Sequence, residues 1–206
     1  MTPPPIPAER SAMDVEIPAP IRDDLARRWD EPHRRHHDRR HLDEVLAGLA
    51  ALRAAGLDFD ERPTVLAAWF HDAVYEPLSG TNEHDSASLA RDLLADDPDR
   101  DEVVRLVELT LTHDPAADDR NGIALSDADL AVLGADADRY DEYAANVRDE
   151  YQQVPGPLFR RARAELLAEF LTRDALFRSA PARDLWEAPA RANLRREIAE
   201  LSTGTR

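Results

Sequence analysis

The chain has 206 residues, a formal net charge of −16 and no cysteine. The lack of cysteine excludes disulfides, thiolate catalysis and cysteine-bound zinc, so any metal must be held by nitrogen and oxygen ligands, which suit Mn, Mg, Co, Ni, Fe or Zn. The acidic charge disfavours binding to nucleic acid or anionic membranes, and no apolar run approaches the ~20 residues that a membrane-spanning helix needs. We therefore expect a single-domain protein of the cytoplasm.

The first 20 residues are rich in proline, which predicts an extended, flexible N-terminal segment (1–20), followed by one domain over residues 21–206. In that domain apolar residues recur at helical spacing nearly throughout, and no alternating pattern predicts a strand. The predicted helices are Ile21–Trp29, Pro32 to Gly56, Pro63–Tyr75, Glu83–Ala95, Asp101–Leu111, Ala128–Leu133, Arg139–Gln153, Leu158–Arg178 and Leu185–Leu201. The fold class is therefore all-α, a single-domain multi-helix bundle whose facing helices can place ligands in the interior.

All seven histidines lie between His33 and His113. His37 and His41 are four residues apart on the predicted second helix, so they share a face at the edge of its apolar stripe. His33 lies on the same stripe one turn earlier, whereas His36 is turned away from it. A metal site here competes with a simpler interpretation, because the surrounding arginines and aspartates are also typical of a solvated, charge-rich helix start.

The dipeptide His71-Asp72 follows the apolar run 64–70, at the end of a helix that is predicted to be buried. Burying two polar groups without partners costs roughly 1–3 kcal/mol or more each. A bound divalent metal ion would compensate both groups. The alternative is a core histidine hydrogen-bonded to a carbonyl group, with Asp72 capping the next segment.

Two later segments supply further candidate ligands. His113 ends the apolar helix 103–111, and Asp127 and Asp129 lie at the start of the helix predicted over 128–133. Asp127 alone fits an N-cap slightly better than a ligand. Asp129 lies one helical turn before an apolar residue, so we expect it to face the core, where a carboxylate needs a cation or hydrogen-bond donors.

The ordered set of His41, His71-Asp72 and Asp129 resembles the HD superfamily of metal-dependent phosphohydrolases, and in its details a bacterial subgroup of predicted metal-dependent HD phosphohydrolases. The resemblance covers about Ile21 to Leu201. The segments that carry it are 31–41 (EPHRRHHDRRH), 68–75 (AWFHDAVY), 82–87 (NEHDSA), 127–134 (DADLAVLG), 140–143 (YDEY), 147–151 (VRDEY) and 190–194 (ARANL). The subgroup tends to carry tyrosine where this chain has His36, a difference that concerns substrate contacts rather than the metal.

The resemblance implies a metal site made by residues on successive helices. His41, His71, Asp72 and Asp129 would bind the divalent ion, and Asp127 would replace Asp129 if the alignment of the Asp-x-Asp segment slips. Asp72 could also take the proton of the attacking water. The ion would be Mn, Mg, Co, Ni, Fe or Zn, since nitrogen and oxygen ligands discriminate poorly among them.

Other residues near the expected site would act on the substrate or on a second metal. The resemblance implies that His37 and His113 bind a second metal or contact phosphate, and that Glu83 orients or deprotonates the attacking water. Glu83 fits a first-turn helix acid equally well. Arg34 is the best-placed cation for the substrate phosphate and Arg148 the second, although the tyrosines of its helix are more typical of a core than of a base-stacking surface.

The predicted function is hydrolysis of a phosphomonoester or phosphoanhydride by metal-activated water, with a nucleotide or another small phosphorylated metabolite as substrate. Two alternatives stay open: an HD-type di-iron oxygenase, which the extra histidines would permit, and a non-catalytic HD module that binds a nucleotide. A chance placement of the histidines is a third. We expect no nucleic-acid or membrane partner, and a homodimer is compatible with a small helical enzyme.

Overall fold

The computed structural model describes Met13 and residues 15–204. The regular structure of this part of the chain is helical, which confirms the all-α prediction for the residues described. The predicted flexible segment falls mainly on positions outside the described residues, whereas Met13 and Ile17 are buried against the helical core. None of the described helices combines the length and the apolarity needed to cross a membrane.

The described helices follow one another around a shared hydrophobic core. In chain order they are α1 (Ala19–Trp29), α2 (Arg39–Ala54), α3 (Glu61–Phe70), α4 (Asn82–Leu93), α5 (Arg100–Leu109), α6 (Arg120–Asp129), α7 (Ala137–Glu150), α8 (Gly156–Thr172), α9 (Ala180–Ala182) and α10 (Ala188–Thr203). A 3₁₀ turn (Leu130–Gly134) extends α6, and a π-helical stretch (Arg183–Glu187) joins α9 to α10.

The second helix is shorter than predicted. It begins after Asp38, whose side chain accepts hydrogen bonds from the backbone N–H groups of Arg40 and His41 and so caps α2. Residues 32–38 consequently lie outside the helix. The prediction that His37 and His41 share a helix face is therefore wrong, and the two histidines reach the site from different backbone segments.

Helix α3 is buried on nearly all sides, as its apolar run predicted. It ends at Phe70 rather than at Tyr75, so His71 and Asp72 lie in the turn that follows it. Because α3 packs against α2, α5 and α6, the turn at its C-terminal end places His71 and Asp72 among these helices.

Helix α6 begins at Arg120, earlier than predicted, because Asp119 accepts a hydrogen bond from a backbone N–H of the first turn. It lies close to α2 at a glycine: a Cβ on Gly48 would come within 3.2 Å of the Ala128 Cβ. Only a residue without a side chain allows the two backbones to approach this closely. The contact brings Asp129, the last residue of α6, next to the first turn of α2.

Candidate metal centre

Two buried imidazoles face each other at the centre of the site. His71 donates a hydrogen bond from Nδ1 to the Ala68 carbonyl at 2.8 Å, which directs the lone pair of its Nε2 away from α3. That Nε2 atom lies 3.2 Å from the Nε2 atom of His41, in the first turn of α2. Two imidazole nitrogens at this separation need a proton or a metal ion to bind them both.

Two carboxylates converge on the same pair of rings. Asp72 Oδ2 lies 3.2 Å from His71 Nε2, and Asp129 Oδ1 lies 3.0 Å from His41 Nε2. The ligand atoms of His41, His71 and Asp72 all lie within 4.8 Å of one another. Ligands bonded at about 2.0–2.2 Å to one ion are about 3 Å apart, so His41, His71 and Asp72 could share a single divalent ion, and Asp129 lies beside them in contact with both imidazoles.

The charges of these groups are strongly interdependent. Burial alone would lower the pKa of His71, but Asp72 and Asp129 raise it well above the ordinary value. Burial would raise the pKa of both aspartates, but the imidazole of His71 holds each of them below the ordinary value. The shared cause is a pair of largely buried carboxylates that stabilises positive charge between them, and a divalent cation would supply such a charge.

A third histidine faces the other side of Asp129. His113 lies just beyond α5 in a left-handed backbone conformation (φ 48°), which is uncommon for a residue with a side chain. Its Nε2 atom is 3.5 Å from Asp129 Oδ2, and burial lowers the pKa of its imidazole, which favours the neutral form that binds metals. The two oxygens of Asp129 thus face different imidazoles.

His37 is held beside the cluster by Glu150, a residue that the sequence analysis did not identify. Glu150 Oε2 lies 2.7 Å from His37 Nδ1 and accepts a 2.9 Å hydrogen bond from the Tyr75 hydroxyl. The ring of His37 stacks on Tyr75 at 4.2 Å. Burial would lower the pKa of His37, but the hydrogen bond to Glu150 and the charge of Asp72 raise it. Glu150 lies three residues after Val147 on the buried stripe of α7, a signal that could have revealed it.

Glu150 also fixes the backbone that precedes α2. Its Oε1 atom accepts hydrogen bonds from the backbone N–H groups of Arg35, His36 and His37, at 2.8 to 3.0 Å. His36 is buried, contrary to the prediction that it turns away, because its ring packs against His41 and Tyr143 at 4.7 and 4.6 Å. The non-helical segment before α2 gives it this orientation.

Arg34 does not face the cavity, contrary to the role predicted for it as a phosphate contact. Its buried guanidinium donates hydrogen bonds to the backbone carbonyls of His37, Asp72 and Ala73 and to the carboxylate of Glu31. Arg34 therefore joins the segment before α2 to the turn after α3. It positions the backbone of the cluster and has no free face for a substrate.

Two more predicted site residues have structural partners instead. Asp127 accepts hydrogen bonds from the backbone N–H groups of Arg178 and Ser179 at 2.7 and 2.8 Å, so its carboxylate caps that segment and does not join the candidate metal ligands. Arg148 donates to two backbone carbonyls and lies over the ring of Phe159, with its guanidinium 4.7 Å from the ring centre. Neither residue lines the cavity described next.

A cavity of about 580 Å³ opens beside the cluster. Glu83, half-buried in the first turn of α4, lines it together with His37 and His113. Arg163, another residue that the sequence analysis missed, lies in its wall on the apolar stripe of α8. Its guanidinium is paired with Glu197 at 3.0 Å and with the Tyr143 hydroxyl at 3.0 Å.

Comparison of the chain with models of protein families, with curated proteins and with solved structures finds no significant match. His41 and His71, which are buried, and Asp72, which is partly buried, form a group that could hold a divalent metal ion at one end of a cavity.

Proposed function

We propose that this protein is a metal-dependent phosphohydrolase of the HD type, which hydrolyses a phosphomonoester or phosphoanhydride of a small metabolite. The observation that supports this proposal most directly is the spacing of the site: His41 Nε2 lies 3.2 Å from His71 Nε2 and 3.0 Å from Asp129 Oδ1. Segments that are distant in sequence thus supply one set of nitrogen and oxygen ligands beside a cavity. The resemblance to HD phosphohydrolases supplies the same residues in the same order.

A divalent ion held by these ligands would lower the pKa of a bound water and polarise a phosphoryl oxygen. Asp72 remains ionised at neutral pH, because its pKa lies well below the ordinary value, and this makes it a ligand rather than a proton acceptor. Glu83 lines the same cavity. Its carboxylate is the better candidate to take the proton of the attacking water.

His37, rather than Arg34 or Arg148, supplies the positive charge that contacts the substrate phosphate. Its ring lines the cavity, and its pKa is raised above the ordinary value, chiefly by the hydrogen bond to Glu150 against the effect of burial. In its protonated form the imidazolium neutralises charge on the phosphoryl oxygens as the leaving group departs. Glu150 fixes the ring in place through Nδ1 and leaves Nε2 for the substrate.

The test is phosphate release by the purified protein from a panel of phosphomonoesters and phosphoanhydrides, with Mn²⁺, Mg²⁺, Co²⁺ or Ni²⁺ added. His71→Ala and Asp72→Asn should reduce the rate by about 10³-fold or more, with the helical circular-dichroism signal retained. The chain offers a matched control in the exposed dipeptide His84-Asp85, and the double variant His84→Ala, Asp85→Asn should keep its rate. Binding without turnover under every metal condition would favour a non-catalytic module.

One observation favours the di-iron oxygenase as a second candidate. Asp129 Oδ1 faces His41, whereas Asp129 Oδ2 lies 3.5 Å from His113 Nε2. Asp129 and His113 would therefore be available to hold a second metal ion, which the oxygenase requires. Two tightly bound irons per chain after aerobic purification, with substrate-dependent oxygen uptake, would support the oxygenase. One ion per chain and phosphate release without oxygen uptake would support the hydrolase.

A further inference from the structure

Away from the candidate metal ligands and the histidines beside them, apolar side chains form most of the cavity lining, and the polar exceptions among the residues described are Thr110, Tyr143, Tyr151, Glu83 and Arg163. Its wall is formed by side chains of the 3₁₀ turn, of α7, of the segment after it and of α8, among them Val132, Leu133, Val147, Val154, Phe159 and Leu166. A wall of this kind gains free energy from contact with hydrocarbon and offers few partners for the polar edges of a base or a sugar.

The rim of the cavity carries exposed leucines. Leu78 is 57% exposed and Leu166 is 47% exposed, and both line the cavity. Leu78 also adopts a left-handed backbone conformation (φ 70°), which is unfavourable for leucine. Large apolar side chains left exposed at the rim of a pocket are typical of a surface that an apolar ligand covers.

The cavity is poor in cations that could bind a polyphosphate chain. Among the described residues that line it, Arg163 is the one arginine, and its guanidinium is already paired with Glu197. Glu83 adds a negative charge to the same wall. A chain of several phosphates would therefore meet repulsion away from the cluster, whereas a single phosphate would be held by the cluster and the adjoining imidazole of His37.

We infer that the substrate is a phosphomonoester of an apolar alcohol, with its phosphate at the cluster of His41, His71, Asp72 and Asp129. Its hydrocarbon part lies along the wall formed by Val147, Phe159 and Leu166 and reaches the rim at Leu78. The position of the phosphate rests on the proposed function. The apolar character of the alcohol rests on the wall and the rim. An experiment can therefore contradict the position of the phosphate without contradicting the apolar alcohol, or the reverse.

Binding of n-alkylphosphonates tests the inference, because these analogues keep the phosphoryl group and cannot be hydrolysed at a P–O ester bond. The probes are ethyl-, butyl- and hexylphosphonate, titrated calorimetrically into the protein with Mn²⁺ added. Burial of each further methylene against the wall should increase the affinity by about two- to fourfold. Hexylphosphonate should also bind more tightly than ATP.

Two leucines of α8 supply a matched pair of variants. Leu166 lines the cavity, whereas Leu158 is 60% exposed and lies outside its lining. Leu166→Glu should reduce the gain in affinity from ethyl- to hexylphosphonate by about tenfold or more. Leu158→Glu introduces the same charge on the same helix, and this variant should keep the full gain in affinity from ethyl- to hexylphosphonate. Because both side chains are exposed, neither substitution removes a core contact.

The outcomes separate this inference from the proposed function. An affinity that does not change with chain length, tighter binding of ATP than of hexylphosphonate, or no binding of any phosphonate would overturn the inference. Affinity that rises with chain length, without phosphate release from any phosphomonoester or phosphoanhydride tested, would support the apolar pocket and overturn the hydrolase. Hydrolysis of alkyl phosphates at rates independent of chain length would support the hydrolase and overturn the apolar pocket.

Discussion

The guanidinium of Arg34 donates a 2.7 Å hydrogen bond to the backbone carbonyl of Asp72, 38 residues away along the chain. The same guanidinium donates hydrogen bonds to the His37 and Ala73 carbonyls, so one buried cation holds together the two segments that frame the candidate metal site. Side chains that orient metal ligands are often as sensitive to substitution as the ligands themselves. Arg34 is accordingly a positioning residue.

Arg34→Gln should therefore weaken both the fold and the metal site. Loss of several buried hydrogen bonds from a charged group should reduce the free energy of unfolding by about 3 kcal/mol, measured by chemical denaturation. Metal affinity, measured by titration calorimetry, should fall by about 10- to 100-fold. Arg35 is the exposed neighbour, and Arg35→Gln should change neither quantity appreciably. A rise in KM alone, at unchanged stability and metal affinity, would instead identify Arg34 as a phosphate contact.

Binding of a divalent ion should stabilise the protein measurably. A ligand at 100 times its Kd adds about 2.7 kcal/mol to the free energy of unfolding, so Mn²⁺ or Co²⁺ should raise Tm and a chelator should reverse the rise. His71→Ala removes one of the two imidazoles at the centre of the cluster and should abolish this shift. His84→Ala changes an exposed histidine and should leave the shift intact. Equal metal-dependent shifts in both variants would place the ion elsewhere.

The Glu150 carboxylate should make stability depend on acid pH. Burial would raise its pKa, but the hydrogen bond to His37, the charge of that residue and the backbone N–H donors lower it from 4.5 to about 2. A carboxyl group whose pKa is lowered by folding stabilises the folded state above the unfolded pKa, and this contribution disappears as pH falls through the folded pKa. The contribution of Glu150 is thus present above pH 4.5 and is lost between about 4.5 and 2.

Glu150→Gln checks this window when both proteins are studied with a chelator present, which removes any effect of metal release. Above pH 5 the variant should be less stable than the parent protein by an amount on the order of 3 kcal/mol. The difference should shrink steadily as pH is lowered toward 2. A difference that is constant over this range would mean that the ionised form of Glu150 has no part in holding the segment before α2.

The sequence contains the His-Asp dipeptide four times, at positions 37, 71, 84 and 113, and burial distinguishes the copy at His71 from the copy at His84. His71-Asp72 follows the apolar helix α3 and lies in the core, whereas His84-Asp85 lies in the first turn of α4 and is exposed. Periodicity also predicted the all-helical fold. These features are encoded locally, in runs of apolar residues whose spacing can be read directly from the chain.

The predictions that failed depended on the direction of single side chains. Arg34 and His36 were placed on a helix that begins only after the Asp38 cap, so their predicted faces were wrong. Glu150 reaches the segment before α2 from more than 110 residues away in sequence, a contact that no local pattern encodes. Such errors are expected because a helix boundary displaced by a few residues rotates every side chain near it.

Experiments on Asp127 and Asp129 can distinguish a structural role from a role in metal binding. Asp127 accepts two backbone N–H groups, from Arg178 and Ser179, and Asp129 contacts the imidazoles. Asp127→Ala leaves the buried Ser179 N–H and the partly buried Arg178 N–H unpaired and should reduce the free energy of unfolding by about 2–4 kcal/mol, while metal still raises Tm. Asp129→Asn removes a negative charge beside His41 and His71 and should abolish the rise in Tm at full helical content. The opposite pattern would make Asp127 the ligand.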